Sequence, residues 1–346
     1  MIARAGGQGQ VDTVRQAVAG EGGPGQPAPL RRSRGKVSQW AERLALPGAW
    51  VAVVIIFGGL EPSTFLTIGN FSNIFGSQAV LFVLTMAVIM PSINRDFDLS
   101  LGAVAALTAM IVAIVNAQDH VPIVYACLIG LGVAVAVGVV NGIAVVGFEN
   151  DSFIVTLGTS TVLAGIIYFT SGSQTITGTS PGLSQWTYRI NFLGIPVEFY
   201  YALGIMLVVW YVTSFTPLGQ RSLFVGQSRD VARLSGIRVK RIRFGAFIAA
   251  GLVAGIAGIF SVGTTGSAAP DTGAALLLPA YAGAFLGLTS IQPGRFNALG
   301  AGVAIYFLAT GVAGLQLLGA QNYVQQLFYG GALVIAVTIS RLIRKR

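Results

Sequence analysis

The sequence predicts an all-α membrane protein, a polytopic transmembrane helical bundle of about ten spans. Two observations support this fold class. Of the 346 residues, 54% are hydrophobic and only 10% are charged, whereas about 25% of the residues in soluble domains are charged. The apolar residues also occur in long runs, many of them close to the roughly 20 residues with which a helix crosses the hydrocarbon core of a bilayer. A soluble fold is therefore excluded.

Residues 1–46 are predicted to form a disordered cytoplasmic N-terminal tail. The first 36 residues are rich in Gly, Gln, Pro and Arg and end in LRRSRGK, a composition that buries too little apolar surface to fold. No apolar core follows the first arginines closely enough to form a signal peptide. We therefore expect the transmembrane domain to cover residues 47–346.

Ten apolar segments follow the tail, separated by polar stretches. Counts of nine or eleven stay open because the first and third segments are weak. A polar, aromatic loop at 171–196 precedes the sixth segment. The ten segments cover about 47–60, 74–93, 99–117, 121–148, 153–170, 197–215, 244–262, 274–288, 296–318 and 324–339.

The positions of the basic residues predict the topology independently. With the N-terminus inside and ten spans, the C-terminus is also inside, and six segments lie in the cytoplasm. Of the 21 Lys and Arg residues, 20 fall in these segments and only Arg189 lies outside. Basic residues accumulate in cytoplasmic loops, so the net charge of +9 reflects topology rather than nucleic-acid binding. The six segments are 1–46, 94–98, 149–152, 216–243, 289–295 and 340–346.

The chain has few residues that could perform catalysis or bind a metal. It contains one histidine, His120, and one cysteine, Cys127, so we expect no metal cluster, no His-dependent triad and no intrachain disulfide. The phosphate-binding pattern G-x-x-x-x-G-K-[ST] does not occur. The spans carry almost no ionisable groups away from their ends, whereas ion-coupled carriers usually keep one at mid-membrane. These features indicate a transport subunit that is not an enzyme and takes its energy from another protein.

A basic stretch between the sixth and seventh spans, the coupling segment 226–243, is predicted to contain a short helix. Its sequence GQSRDVARLSGIRVKRIR places Asp230 near the helix start, where a carboxylate suits the helix dipole. Gly236 is placed to end the helix. Arg229 and Arg233, four residues apart, would lie along one side of it.

This helix is predicted to dock into a groove of another protein. The alternative is a basic cytoplasmic loop that merely obeys the charge rule. Such a loop has no need for apolar side chains, whereas docking in a groove uses them. The apolar residues are Val231, Ala232, Leu234 and Ile237.

Small residues within the spans suggest how the helices pack and where a transport path could run. Gly138 with Gly142, and Gly251 with Gly255, place two glycines one turn apart, which allows close helix packing. Polar residues at or near the spans are candidates for a path, with helix packing as the alternative and an N-cap role as the alternative for Asp98. These candidates are Asp98, Ser100, Asn141, Thr156, Thr159 and Ser160.

Several motifs resemble those of ribose-type monosaccharide ABC transporter permeases. GQSRDVARLSGIRVKRIRFGAFIAAGLVAGIAG is similar to the coupling segment and following span of that family. The similarity continues in the family's order through NRDFDLSLGAV, FIVTLGTSTVLAGIIYFTSG, LLPAYAGAFLGLTSIQPGRFNALG and LQLLGAQNYVQQLF. It covers most of the chain from about Phe65 onward.

The resemblance implies a homodimer with the type II ABC importer fold in the cytoplasmic membrane and a transport path between the two copies. It implies two copies of a separate ATPase, which would bind ATP and Mg, so the chain itself would need no cofactor. An external binding protein would deliver a ribose- or xylose-like monosaccharide. By this analogy Gly226 and the helix from Arg229 to Ile237 would couple the permease to the ATPase.

Two stretches depart from the family pattern. Residues 95–97 read RDF where the family often has Gly-Gly-Ile, although residues 98–100 keep Asp-Leu-Ser. Residues 277–279 read LLP in place of a common Glu-Leu-Asp. Three alternatives stay open: a branched-chain amino acid ABC permease, an ion-coupled secondary carrier and a membrane scaffold. The stretch LTSIQPG after the eighth span favours the sugar branch, because branched-chain amino acid permeases usually have Gly-Gly-x-Gly-Ser there.

Overall fold

The computed structural model describes the backbone of residues 36–345 and the side chains of residues 43–338. All contacts reported below lie within Trp40–Arg346, which form one compact unit. Most of the predicted tail, residues 1–35, lies outside the described residues. Residues 36–46 are helical instead of belonging to a disordered tail, because VSQWAERLAL is rich in strong helix formers that extend the first span backwards.

The helices are numbered in chain order, and the predicted apolar segments all fall on helices. The first seven are α1 Lys36–Leu60, α2 Pro62–Phe65, α3 Ile68–Ser77, α4 Ala79–Ile93, α5 Leu101–Ala117, α6 Ile123–Gly142 and α7 Ser152–Ser171. The others are α8 Pro181–Ser184, α9 Val197–Phe215, α10 Pro217–Gln227, α11 Arg229–Leu234, α12 Val239–Thr265, α13 Thr272–Gly287, α14 Ala298–Leu317 and α15 Tyr323–Lys345.

Among the described residues, seven helical stretches are long and apolar enough to cross a membrane. Three shorter apolar helices accompany them at Leu101–Ala117, Thr272–Gly287 and Tyr323–Thr338. At about 1.5 Å per residue, a 17-residue helix such as α5 is roughly 25 Å long, less than the hydrocarbon thickness of about 30 Å. The polytopic all-α fold is confirmed, and the count of ten spans stays a prediction. The long stretches are Arg43–Leu60, Ile68–Ile93, Ile123–Gly147, Ser152–Ser171, Val197–Phe215, Val239–Thr265 and Ala298–Leu317.

Helix α4 lies at the centre of the bundle. Nearly all of its side chains are buried, from Ala79 to Ile93, and it packs against α5, α9, α12, α13 and α14. A helix that is apolar all round is stable only where other protein or lipid surrounds it. The apolar side chains of α4 are therefore covered by its neighbouring helices.

Glycines bring α6 and α12 close together, as their spacing predicts. A Cβ added to Gly138 would lie 2.7 Å from the carbonyl oxygen of Phe247, and one added to Gly251 would lie 2.7 Å from that of Ala134. Gly142 and Gly255 are equally tight, against Phe244 and Ala134. A methyl group does not fit at these distances, so the close helix packing is confirmed.

The predicted loop at 171–196 contains more structure than its polar composition indicates. It includes α8, a π-helical turn at Gln185–Arg189 and a small hairpin of β2 Asn191–Phe192 with β3 Ile195–Pro196. Strand β1, Ile176–Thr177, pairs in antiparallel fashion with β4, Ser267–Ala268. A second π-helical turn extends α6 over Ile143–Gly147.

Candidate functional site

The coupling segment folds into the short helix that its sequence predicts. Helix α11 begins after Ser228, whose side chain accepts a hydrogen bond from the backbone N–H of Val231. It ends at Leu234, and Gly236 shortly after has a φ of +78°, a conformation that costs glycine little. The N–H of Ile237 donates to the carbonyl of Ala232 at 3.0 Å, which closes the C-terminus in the manner of a helix cap with a left-handed residue.

Helix α11 has one attached face and one exposed face. Ala232 is fully buried, whereas Leu234 is 88% exposed and Val231 is half exposed. Immediately before it, Gly226 packs so tightly that any Cβ would collide with the carbonyl oxygen of Ile93 at the end of α4. The segment therefore packs against the end of the bundle, whereas the side chain of Leu234 projects into the surroundings.

The attachment is made by a partly buried ion cluster, the Asp96 cluster, which consists of Asp96, Arg229 and Arg243. The carboxylate of Asp96 accepts from Nε and Nη2 of Arg243, both at 2.7 Å, and from Nη2 of Arg229 at 2.9 Å. Asp96 and Arg243 are buried. Such bidentate, charge-assisted hydrogen bonds are strong and geometrically specific.

The Asp96 cluster joins three elements that are distant in sequence. Arg229 is the first residue of α11, Arg243 lies in the first turns of α12, and Asp96 lies in the segment between α4 and α5. Arg229 also donates to the backbone carbonyls of Asn94 at 3.3 Å and Arg95 at 3.4 Å. The cluster therefore connects α11 to the start of α12 and to the segment between α4 and α5.

Two further basic residues of the segment make exposed ion pairs. Arg233 pairs with Asp230 at 2.7 Å within α11. Arg229 and Arg233 therefore have different partners, although both follow the predicted spacing. Lys240 pairs with Glu149 at 2.6 Å, and this ammonium lowers the pKa of the Glu149 carboxyl. Exposed pairs of this kind contribute little to stability because water and salt screen them.

A second polar network, the Asp98 chain, connects Asp98, Ser100, Asn141 and Thr159. Ser100 donates to Asp98 Oδ1 from its hydroxyl at 2.6 Å and from its backbone N–H at 3.0 Å. The side-chain amide of Asn141 donates to Ser100 Oγ at 2.8 Å, and Thr159 Oγ1 donates to Asn141 Oδ1 at 2.8 Å. The Asp98 chain therefore links α6 and α7 to the start of α5.

The backbone around Asp98 is held by three more side chains. Tyr281 on α13 accepts from the N–H of Asp98 and donates to its carbonyl, both at 3.0 Å. Thr156 accepts from the N–H of Leu99 at 2.9 Å, and Ser152 accepts from the N–H of Phe97 at 3.0 Å. Buried backbone groups outside regular structure need such partners, so this segment is fixed in one conformation.

Asp98 is buried among neutral partners, and its burial raises the pKa of the carboxyl to about 6 although the hydrogen bonds from Ser100 and Asn141 oppose the shift.

The six candidate path residues fall into three groups in the structure. Asp98, Ser100, Asn141 and Thr159 come together, Thr156 binds the adjacent backbone, and Ser160 is half-buried outside the Asp98 chain. Contact with a transported molecule stays a prediction for all six.

Sequence patterns alone do not identify Asp96, Arg243 or Tyr281 as site residues. The available signal was the departure at 95–97, where a bulky and charged sequence replaces the small residues frequent in the similar family. The negative charge of Asp96 is compensated by the guanidinium groups of Arg229 and Arg243.

Comparisons with known proteins agree with the resemblance noted in the sequence. The family model described as "Branched-chain amino acid transport system / permease component" matches residues 65–337. This chain is an ABC transporter permease of that family. The permease is 32% identical over 85% of its length to the D-allose transport system permease protein of Escherichia coli, 90% of which is covered. No solved structure was found to match it.

Two ribose import permease proteins are similar to the same extent. The permease is 30% identical to that of Escherichia coli, over 84% of its own length and 91% of the relative's. It is 32% identical to that of Bacillus subtilis, over 84% and 89% respectively. The matched region contains both the Asp96 cluster and the Asp98 chain.

Five of the six predicted cytoplasmic segments of the permease meet at one end of the bundle. The Arg229–Asp96 and Lys240–Glu149 pairs join segments 216–243, 94–98 and 149–152. The N–H of Ile291 donates to the carbonyl of Arg43 at 3.1 Å, which joins 289–295 to the N-terminal segment. A cavity lined by residues of both groups, among them Arg43, Gln220 and Gln292, lies between them.

Proposed function

We propose that the permease translocates a monosaccharide, ribose- or xylose-like, across the cytoplasmic membrane as the transmembrane subunit of an ABC importer. The similarity to D-allose and ribose permeases, each covered over about nine-tenths of its length, supports this substrate class. The name of the family model points to branched-chain amino acids. The sugar relatives favour the monosaccharide over that alternative and over an ion-coupled carrier.

The energy would come from a separate ATPase that binds ATP and Mg and docks on α11. The observation that carries this proposal is the two-faced placement of the helix, with Arg229 tied to buried Asp96 and Leu234 88% exposed. A large exposed apolar side chain on a rigidly held helix fits a groove in a partner protein. The basic end of the bundle, which carries α11, would face the cytoplasm.

The proposed transport cycle uses the Asp96 cluster as a mechanical link. Closure of an ATPase dimer would pull two copies of α11 together in a homodimer of the permease. Because Asp96 joins α11 to the ends of α4, α5 and α12, the movement would reach the spans and change which side of the path is open. An extracytoplasmic binding protein would release the sugar into the outward-open state.

Transport by the reconstituted complex tests the proposal. The permease is placed in liposomes with its candidate ATPase inside and its candidate binding protein outside, and uptake of labelled ribose, xylose, allose and leucine is measured. We expect uptake of a sugar that depends on internal ATP and on the binding protein. Uptake of leucine alone would favour the branched-chain amino acid alternative, and uptake driven by an ion gradient without the ATPase would overturn the proposal.

A further inference from the structure

The bundle contains a cavity of about 840 Å³ beside the coupling segment. It lies between the inner ends of α9 and α12 and also touches the end of α4 and helix α10. The two long helices meet at their outer ends, where Thr264 donates to Glu198 at 2.9 Å and the rings of Tyr201 and Phe260 are 6.3 Å apart. The cavity occupies the space that remains between their inner ends.

The deeper wall of the cavity is apolar and lies within the spans. Val208 and Val212 contribute from α9, and Ala246 and Ala249 contribute from α12. Val208 is about two turns from the end of α9, which corresponds to roughly 10 Å of helix rise. Val208 is also exposed, so the wall is open to the surroundings at the depth of the spans. Lipid tails are the apolar material available at this depth.

The mouth of the cavity carries three arginines, Arg221, Arg238 and Arg241. All three are exposed. Within the described part of the chain none of them makes an ion pair, in contrast to Arg229, Arg233, Arg243 and Lys240, which all have carboxylate partners. Three uncompensated guanidinium groups at one opening favour a phosphate, which accepts several of their N–H groups at once.

We propose that this cavity is a binding site for an anionic phospholipid. The acyl chain would lie along the valine and alanine wall, and the phosphate would bind Arg221, Arg238 and Arg241. The pairing of a basic mouth with an apolar wall inside the spans matches the two parts of such a lipid. A soluble ATPase fits this surface less well, because the wall lies within the hydrocarbon-crossing part of α9. The proposal concerns a surface separate from the exposed side chain of Leu234 and does not rest on the transported substrate.

Native mass spectrometry of the permease in detergent tests the proposal. Dioleoylphosphatidylglycerol and dioleoylphosphatidylcholine are titrated in parallel, and inorganic phosphate is titrated as a separate probe. The test variant carries R221Q, R238Q and R241Q. A matched variant with R95Q, R189Q and R295Q loses the same charge at other exposed sites. A third variant, Gly245→Trp, fills the cavity, because a Cβ at Gly245 meets no atom within 4 Å.

We expect the wild type to retain phosphatidylglycerol in preference to phosphatidylcholine. At about one kcal/mol for each basic residue near a charged lipid, the triple variant should lose roughly 100-fold in affinity. The matched variant should bind as the wild type does, and Gly245→Trp should also lose phosphatidylglycerol. Equal retention of both lipids, or equal loss in the two triple variants, would overturn the proposal. If Gly245→Trp still binds phosphatidylglycerol and the wild type also binds inorganic phosphate, the arginines bind a phosphate group without an acyl chain in the cavity. That result would contradict the proposed lipid site.

Discussion

Asp96 and Asp98 lie two residues apart in the same segment, and both are buried, but their surroundings differ. Asp96 receives hydrogen bonds from the guanidinium groups of Arg229 and Arg243. Asp98 receives its hydrogen bonds from neutral groups, chiefly the hydroxyl and the backbone N–H of Ser100. Burial opposes the charged form of a carboxyl unless a cation compensates it. The pKa of Asp98 therefore rises to about 6 because of burial, whereas Asp96 is part of a buried salt bridge.

Asp96 and Asp98 also connect different parts of the molecule. The Asp96 cluster connects α11 to the bundle, so it lies on the proposed route from a docked ATPase to the spans. The Asp98 chain and Tyr281 connect α5, α6, α7 and α13 to one another. One aspartate therefore joins a peripheral helix to the body, and the other holds spans together within the body. Substitutions at the two positions should have effects of different size and different pH dependence.

Asp96→Ala should produce the largest loss of stability. It leaves the guanidinium of Arg243 buried without its partner, and removal of one member of a buried pair costs about 3–5 kcal/mol. Thermal unfolding in detergent should show a large fall in Tm. Asp230→Ala is the matched control because it breaks the exposed pair with Arg233, and it should cost less than about 1 kcal/mol. Equal losses in the two variants would show that Asp96 is not a buried structural ion.

Asp98→Asn should have a smaller effect that changes with pH. The pKa of Asp98 is raised by burial from 3.8 to about 6, so its contribution to stability is fully present below pH 3.8 and is lost as the pH rises to about 6. Asparagine does not titrate, so the variant should gain stability relative to the wild type as the pH rises through this window, by about 3 kcal/mol in total. Above about pH 7, where the carboxyl is ionised in both the folded and the unfolded protein, the difference should be constant.

Thermal unfolding of both proteins at several pH values between 4 and 8 measures this difference. A difference between wild type and Asp98→Asn that does not change with pH would contradict the raised pKa. Thr159→Val provides a control because it removes a neutral donor from the same chain and should shift stability equally at every pH, by about 1 kcal/mol.

Arg229→Gln should have the smallest effect on stability. Arg229 is partly exposed, and Asp96 keeps its two hydrogen bonds from Arg243; the cost should be about 1 kcal/mol or less. If the Asp96 cluster transmits movement, ATP-driven uptake should nevertheless fall several-fold while the ATPase stays bound. Uptake equal to the wild type would show that the link through Arg229 is dispensable.

Local patterns in the sequence predict much of this fold. Hydropathy places the ten apolar helices, and glycine spacing predicts the close contact of Gly138 with α12. The coupling helix is also predicted in detail, since Asp230 and Gly236 act within a few residues of their own positions. These features depend on neighbours along the chain, and local sequence contains the necessary information.

The partners of the buried polar residues could not be predicted in this way. Asp96 and Arg243 are 147 residues apart, and both lie in segments whose charges suggest solvent exposure. Asn141 and Thr159 were identified individually, but their connection to Ser100 depends on how α5, α6 and α7 pack. The structure within the loop at 171–196 could not be predicted either, because its hairpin packs against α3 and α9 and its π-helical turn packs against α9 and α12.

The docking of an ATPase on α11 is tested most directly by Leu234→Asp. Leu193→Asp is the matched control, since Leu193 is 81% exposed in the turn between β2 and β3, far from the coupling segment in sequence. Co-purification of the ATPase with the permease and ATP-driven sugar uptake are measured for both variants. We expect Leu234→Asp to lose the ATPase and the uptake, and Leu193→Asp to keep the bound ATPase. Full binding and uptake by Leu234→Asp would contradict the assignment of α11 as the coupling helix.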